Sequence, residues 1–206
     1  MARDSGPQCK QCRREGQKLF LKGERCMTEK CGVERRSYPP GEHGRGRVRA
    51  SEYRQQLREK QKARRFYGVL EKQFRGYYDK ASRMPGVTGD NLLRMLERRF
   101  DNVLVRLGFA ASRRQARQLI GHGHWLVNGR RVDIASYQVR PDDVITIRPD
   151  SGAADTVRQA TELTAAVPPW LQADHDALTA KVLRLPERSE ITAPVQEQLI
   201  VELYSK

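Results

Sequence analysis

Residues 112–132 read SRRQARQLIGHGHWLVNGRRV, and the fold of the chain follows from them. Ser112 with Gln115 three positions on is a capping-box pair, the start of a helix. Ala116, Leu119 and Ile120 recur at helical spacing and face inward, which leaves Arg113, Arg114 and Arg117 outside. Gly121 and Gly123 end that helix. Asn128-Gly129, set between Trp125-Leu126-Val127 and Arg130-Arg131-Val132, predicts a two-residue hairpin, since both central residues of a type I′ turn need positive φ. Pro141-Asp142 then turns the chain into a third predicted strand, Val144 to Ile147. Upstream, Leu92, Leu93, Leu96, Phe100, Val103, Leu104 and Leu107 keep a 3.6-residue period, predicting one helix from about Asp90 to Leu107, closed by Gly108.

Two helices followed by a small sheet, with arginines on the second helix and at the hairpin tip, make a concave basic surface suited to gripping folded RNA by shape. Arg113 and Arg117 lie one turn apart at a helix N-terminus, so their guanidinium groups and the free backbone N–H groups can converge on neighbouring phosphates. Charge supports a polyanionic partner: 39 Lys and Arg against 25 Asp and Glu among 206 residues, a net +14. It is unevenly placed: residues 1–75 carry a net +12, residues 76–150 a net +5 and residues 151–206 a net −3. The last quarter is therefore expected to face protein or solvent. No apolar run approaches the length of a membrane span and MARDSGPQCK has no signal-peptide core, so a soluble, unexported, cytoplasmic protein is expected, with no membrane partner.

All four cysteines lie near the start, in QCKQCRREGQKLFLKGERCMTEKC. Cys9 and Cys12 are spaced C-x2-C, Cys26 and Cys31 C-x4-C, and a reducing compartment favours metal binding over disulfides for such a cluster. The spacing predicts one tetrahedral Zn2+ held by Cys9, Cys12, Cys26 and Cys31, with an iron–sulfur cluster as the alternative, since four thiolates suit both. An all-thiolate set leaves no open position, so the metal is structural. It would stabilise a segment whose only core candidates are Leu19, Phe20 and Leu21. Residues 35–50, RRSYPPGEHGRGRVRA, follow as an extended basic arm whose prolines and glycines oppose regular structure. Ser51 caps a helix to about Tyr67, with Tyr53, Leu57 and Phe66 as its sparse apolar side. A shorter helix spans about Leu70 to Ser82, and Pro85-Gly86 breaks it.

The stretch SRRQARQLIGHGHWLVNGRRVDIASYQVRPDD resembles the RNA-binding domain named after the S-four family of small-ribosomal-subunit proteins. CKQCRREGQKLFLKGERC, SYPPGEHG, LREKQKARRFYG, LERRFDNVLVRLGFAASRRQARQ and QEQLIVELYSK resemble the bacterial members of that family in the same order, over nearly the whole chain. The resemblance implies a structural protein that binds the 5′ domain of small-subunit ribosomal RNA, nucleates small-subunit assembly, touches neighbouring small-subunit ribosomal proteins and contributes to translational accuracy. It implies RNA contacts at Tyr38, Pro39, Pro40, His43, Arg45 and Arg47 of the arm. On the domain face it implies Arg113, Arg114, Gln115, Arg117, His122, His124, Asn128 and Arg130. His122 and His124 could equally cap the turn. Many family members lack the cysteines, so the metal rests on their spacing. The sequence departs from the family pattern at Glu42, where Gln is usual, at Trp125, where an aliphatic residue is usual, and at Asp142-Asp143, where Gly-Asp is usual. Trp125 is open to two readings, strand core or base-stacking surface.

The expected fold class is α+β: a metal-stapled N-terminal module and a helical domain, with an inserted α/β RNA-binding domain of two helices packed on a small sheet. The expected divisions are 1–45 for module and arm, 46–98 completed by 190–206 for the helical domain, and 99–189 for the RNA-binding domain. Pro194 marks a helix start, with Val195, Leu199, Ile200 and Leu203 on one stripe. No catalytic residues and no small-molecule substrate are expected, because His43, His122, His124 and His175 are not set with acids or nucleophiles in any recognised order. The alternatives are an RNA-modifying enzyme or a free regulator of messenger translation using the same module.

Overall fold

The structure, a computed structural model, describes residues 4–46, 49, 51–163 and 166–206. The chain divides into two units, 1–93 with 192–206 and 94–191, so its C-terminal residues belong to the first unit.

In the first unit Pro7 precedes α1 (Gln8–Glu15), and Gly16 at φ 71° ends it with bonds to the Arg13 and Cys12 carbonyls. Leu19 is fully buried. Phe20, expected beside it in the core, is 44% exposed. Its φ of 51° turns the chain between the two side chains and sends the ring outward. A short helix, α2 (Gly32–Arg35), follows Cys31. Helix α3 (Glu52–Phe66) starts where Ser51 accepts a bond from the Arg54 N–H at 3.3 Å. Its buried face is Gln56, Lys60, Ala63 and Phe66, while the expected core residue Tyr53 is 60% exposed. Lys60 tolerates burial because its ammonium meets Glu71 Oε1 at 2.7 Å. Glu71 opens α4 (Glu71–Ala81).

Helix α5 (Thr88–Glu97) ends where one long helix to Leu107 was expected, and α6 (Phe100–Arg106) starts afresh. The break has an identifiable cause. Arg99 is extended, at ψ 135°, and forms a β-bridge with Gln138. The N–H groups of Phe100 and Asp101 then donate to the Tyr137 and Ala135 carbonyls instead of to α5. Leu92, Leu93 and Leu96 on α5, Phe100, Val103 and Leu104 on α6 and Leu107 at the C-cap of α6 are all fully buried, so the apolar period runs through the break unmarked. Next come α7 (Arg113–Gly121), β1 (Trp125–Val127), β2 (Arg130–Arg131), β3 (Val144–Ile147), α8 (Ala154–Thr161), β4 (Leu171–Asp174), β5 (Thr179–Val182) and, in the first unit, α9 (Glu197–Tyr204).

The sheet has five antiparallel strands in the order β2-β1-β3-β5-β4. The acidic last quarter, expected to face protein or solvent, thus supplies two of its strands and seats Leu171, Leu178, Ala180 and Val182 in the core of the second unit. The β1–β2 turn has the expected form, with Asn128 at φ 51° and Gly129 at φ 75°. Trp125 is fully buried and stacks on Phe109 with ring centroids 5.3 Å apart, which makes it core and not a surface for bases.

Helix α9 begins at Glu197, three residues beyond Pro194, and packs on α3. Gln56 Nε2 donates to Glu202 at 3.1 Å, and the Tyr204 hydroxyl donates to Glu71 at 2.9 Å while its ring stacks on Tyr78. Among the described residues no helix is long and apolar enough to cross a membrane.

Candidate nucleic-acid interface

In the second unit α7 starts at Ser112, whose hydroxyl accepts the Gln115 N–H at 3.3 Å. Gln115 returns its own side chain to the Ala111 N–H at 2.8 Å, one residue before the cap, so it closes the turn. Ala116, Leu119 and Ile120 are buried as expected. Of the three arginines placed on the outside, only Arg114 is exposed. Arg113 Nε donates to Asn102 Oδ1 at 2.9 Å, and Arg117 Nε to Asp101 Oδ2 at 2.6 Å. Both are therefore anchored on α6, and replacing them by Ala would cost stability, contrary to the expectation that both simply point away from the core.

At the hairpin, Asn128 is exposed yet structural. Its amide donates to Asp143 Oδ1 at 2.8 Å and accepts from the Val144 N–H at 2.8 Å. Asp143, buried, also accepts the Arg140 N–H at 2.7 Å. Asp142 sits at φ 66°, a conformation glycine adopts freely and Asp tolerates. Asn128→Ala should lower the stability of this unit by about 1–3 kcal/mol, because Asp143 loses a partner in a buried setting and the turn loses a residue suited to positive φ. Urea unfolding followed by circular dichroism checks this, and an unchanged midpoint would count against it.

Arg130 and Arg131 are exposed on β2. The Arg131 guanidinium lies over Gly123, at φ 74°, where any Cβ would overlap it. His122 is exposed, and His124 is held by Ser151 Oγ, 2.9 Å from its Nδ1. Burial pushes the His124 imidazole below its ordinary pKa, with His122 and Arg148 adding to the effect. These residues, with Arg114, gather on the α7 N-terminal turn, its C-terminal turn and the hairpin.

In the first unit the arm is not free chain. Arg13 Nε donates to the carbonyls of Arg36 and Tyr38 at 3.1 and 2.9 Å, and Arg14 donates to that of Pro40 at 3.1 Å. Tyr38 lies between the Arg13 and Arg45 guanidinium groups, 4.8 and 4.5 Å from its ring centroid. Glu42–Arg45 forms one 3-10 turn. Pro39 and Pro40 are half-buried, His43 and Arg45 exposed, and Arg47 lies outside the described residues. Beside this arm is a feature no sequence period marked: Glu15, with a side chain 1% exposed, is paired by Arg65 and by Arg58 at 3.4 Å. An isolated acid in a basic run was its only signal.

Cys9, Cys12, Cys26 and Cys31 line one small cavity with Leu21 and Val33, and none is in a disulfide. Gly32 is required there, since a Cβ would stand 2.8 Å from Cys9 Cβ. Cys26 Sγ accepts the Lys22 N–H at 3.4 Å. Burial raises the Cys12 and Cys26 thiols above their ordinary pKa, and the neighbouring sulfurs raise them further. As placed, no three His, Cys, Asp or Glu side chains among the described residues form a set that could hold a metal ion.

Two family models match this chain: the ribosomal protein S4/S9 N-terminal domain over residues 3–97 and the S4 domain over residues 98–145. Similar curated proteins carry the name small ribosomal subunit protein uS4. That of Pelotomaculum thermopropionicum is 59% identical over 208 residues, spanning 100% of both chains. Those of Geobacter sp. (strain M21) and Natranaerobius thermophilus are each 57% identical, again over 100% of both chains.

Proposed function

This chain belongs to the family of small ribosomal subunit protein uS4, and from that premise we propose that it is a structural, non-enzymatic component of the small ribosomal subunit that binds small-subunit ribosomal RNA. The observation that carries this reading is similarity from end to end, which includes every element that builds the arm, α7 and the hairpin. The 5′ domain is the RNA segment proposed as its site, with neighbouring small-subunit proteins as further partners and roles in early assembly and decoding accuracy. Each unit carries its own proposed RNA contacts: Arg113, Arg114, Arg117, His122, Arg130 and Arg131 in the second unit, and, separately, Tyr38, His43 and Arg45 in the first.

Equilibrium binding to 5′-domain RNA over a series of KCl concentrations tests it. Arg114→Ala with Arg130→Ala should weaken binding and flatten the plot of log affinity against log salt by about one to two units, because two phosphate contacts and their counterion release are lost. Arg158→Ala on α8, whose side chain pairs with Asp155 at 3.1 Å, should leave both nearly unchanged. If the α8 variant hurts more than the α7–hairpin pair, the face is misassigned.

The four cysteines are proposed to hold one Zn2+ as thiolates, with an iron–sulfur cluster as the outcome that elemental analysis and a visible spectrum would separate. In support, the four sulfurs line one cavity, and burial, with the neighbouring sulfurs adding to it, raises the Cys12 and Cys26 thiols, a penalty a bound cation would relieve; the sulfurs would have to draw together to hold it, because as placed they do not form such a set. Cys9 and Cys12 of α1, Cys26 of the turn and Cys31 at the start of α2 would hold the ion and so tie these segments together, with the Lys22 N–H bond to Cys26 and the close approach of Gly32 to Cys9 helping to place the sulfurs.

A further inference from the structure

Two arginines flank the Tyr38 ring, and they are held in opposite ways. Their guanidinium carbons lie 4.8 Å (Arg13) and 4.5 Å (Arg45) from the ring centroid. Arg13 is fixed by backbone: Nε donates to the Arg36 and Tyr38 carbonyls at 3.1 and 2.9 Å, and a terminal nitrogen to that of Pro39 at 3.4 Å. Arg45 is exposed, and among the described residues its guanidinium makes no hydrogen bond and no ion pair. Glu42, three residues earlier in the same 3-10 turn, does not pair with it.

The turn that carries Arg45 is pinned to the same ring. The Gly44 N–H donates to the Gly41 carbonyl at 3.2 Å, and the Gly46 N–H to that of His43 at 3.0 Å. A Cβ at Gly44 would overlap the Pro39 carbonyl oxygen and stand 3.5 Å from the Tyr38 ring. The backbone just before Arg45 therefore lies close to the ring that its side chain covers.

An arginine held by carbonyls has its N–H donors engaged, whereas one held by the ring quadrupole keeps them open. That difference decides what each can do. A surface arginine otherwise samples many rotamers, and ordering it costs free energy at the moment of binding. Two like charges on either side of one ring also repel, and among the described residues no acid pairs with either. An anion arriving at Arg45 relieves that repulsion. With both sides of the ring covered, Tyr38 has no face left for a base.

We propose that Tyr38 is a positioning residue for RNA recognition: clamped against Arg13, it holds Arg45 with its donors open toward a backbone phosphate, and does not itself stack on a base. The rim of a guanidinium offers donors only, which suits the acceptor oxygens of a phosphate. This deepens the reading of the arm as an RNA contact and rests on it.

The test is binding of the full chain to 5′-domain RNA across a KCl series, with folding followed by circular dichroism. Arg45→Ala should lower affinity about tenfold and flatten the plot of log affinity against log salt by about one unit, the counterion release of one phosphate contact. Tyr38→Leu leaves the charge unchanged and should lower affinity about three- to tenfold, because Arg45 must then be ordered on binding. Tyr38→Phe keeps both ring faces and should bind within about twofold of wild type. The double variant separates the causes. If Tyr38 acts through Arg45, Tyr38→Leu has no further effect in the Arg45→Ala background. A base stacked on the ring, or an arm merely held together by it, predicts the same loss in both backgrounds. Equal losses in both backgrounds therefore overturn the proposal, as does a Tyr38→Leu protein that binds like wild type. A Tyr38→Phe protein as weak as Tyr38→Leu would make the hydroxyl the contact and overturn it too. If Arg45→Ala binds as wild type does, the arm's RNA contact falls and the proposal with it, while the variants of α7 and the hairpin show whether RNA binding itself stands.

Discussion

The Cys26→Ala protein, and the wild-type chain stripped by a chelator, should lose amide-exchange protection across α1, the Leu19–Cys26 turn and α2 while residues 94–191 keep theirs. Cys12, Cys26, Cys31 and Leu19 are the buried apolar residues of this segment, with Cys9 partly exposed and Phe20 facing outward. Hydrophobic burial of one leucine contributes about 1.5–3 kcal/mol, against about 10–16 kcal/mol for zinc in zinc-finger peptides. Metal ligation would therefore dominate the stability of the module. The loss should spread to the arm, because Arg13 and Arg14 of α1 hold the carbonyls of Arg36, Tyr38 and Pro40. Glu15 should also leave its place between Arg58 and Arg65, uncovering a cluster of arginines on α3. Freshly purified wild-type protein should contain one zinc, or one cluster, per chain. Protein with four titratable thiols, no metal and full protection of residues 8–35 would contradict the stapled module.

Trp125→Ala should destabilise the second unit by about 3–5 kcal/mol, the cost of deleting a buried aromatic that the surroundings cannot refill. Trp125 begins β1, is stacked on Phe109 and lies in the cluster with Leu104, Ile120, Ile145 and Trp170. Under conditions where the variant is folded, RNA affinity should be near wild type, because the ring has no solvent-facing edge. The opposite pattern, intact stability with lost affinity, would restore the base-stacking reading. Circular dichroism and urea titration separate the two outcomes.

Strong local signals were legible in the sequence. The Asn128-Gly129 turn, the Ser112 and Ser51 caps and the buried stripe of α7 all depend on a few neighbouring residues, and all stand where expected. What escaped depends on partners distant in sequence. Nothing near Arg99 shows that Gln138 will bridge to it and split an apolar period into α5 and α6. The strands β4 and β5 are four residues each, LQAD and TAKV, too short and too mixed for alternation to stand out, and the pairing of β5 with β3, on which β4 depends in turn, spans more than thirty residues. The site was legible as a set of positions and not as a mechanism of support. Arg113 and Arg117 read as surface charge because helical periodicity reports which face a side chain leaves from, not which buried acceptor it reaches. Asp101 and Asn102 carry no sequence signal that marks them, yet both are buried.

Amide hydrogen exchange on the full chain, alone and bound to 5′-domain ribosomal RNA, tests the central claim most directly. The account predicts new protection concentrated in residues 36–46, the first turn of α7 and the β1–β2 hairpin. It predicts little change in α8 and the β4–β5 strands. Protection confined to α8, β4 and β5, with α7 and the hairpin unchanged, would contradict it.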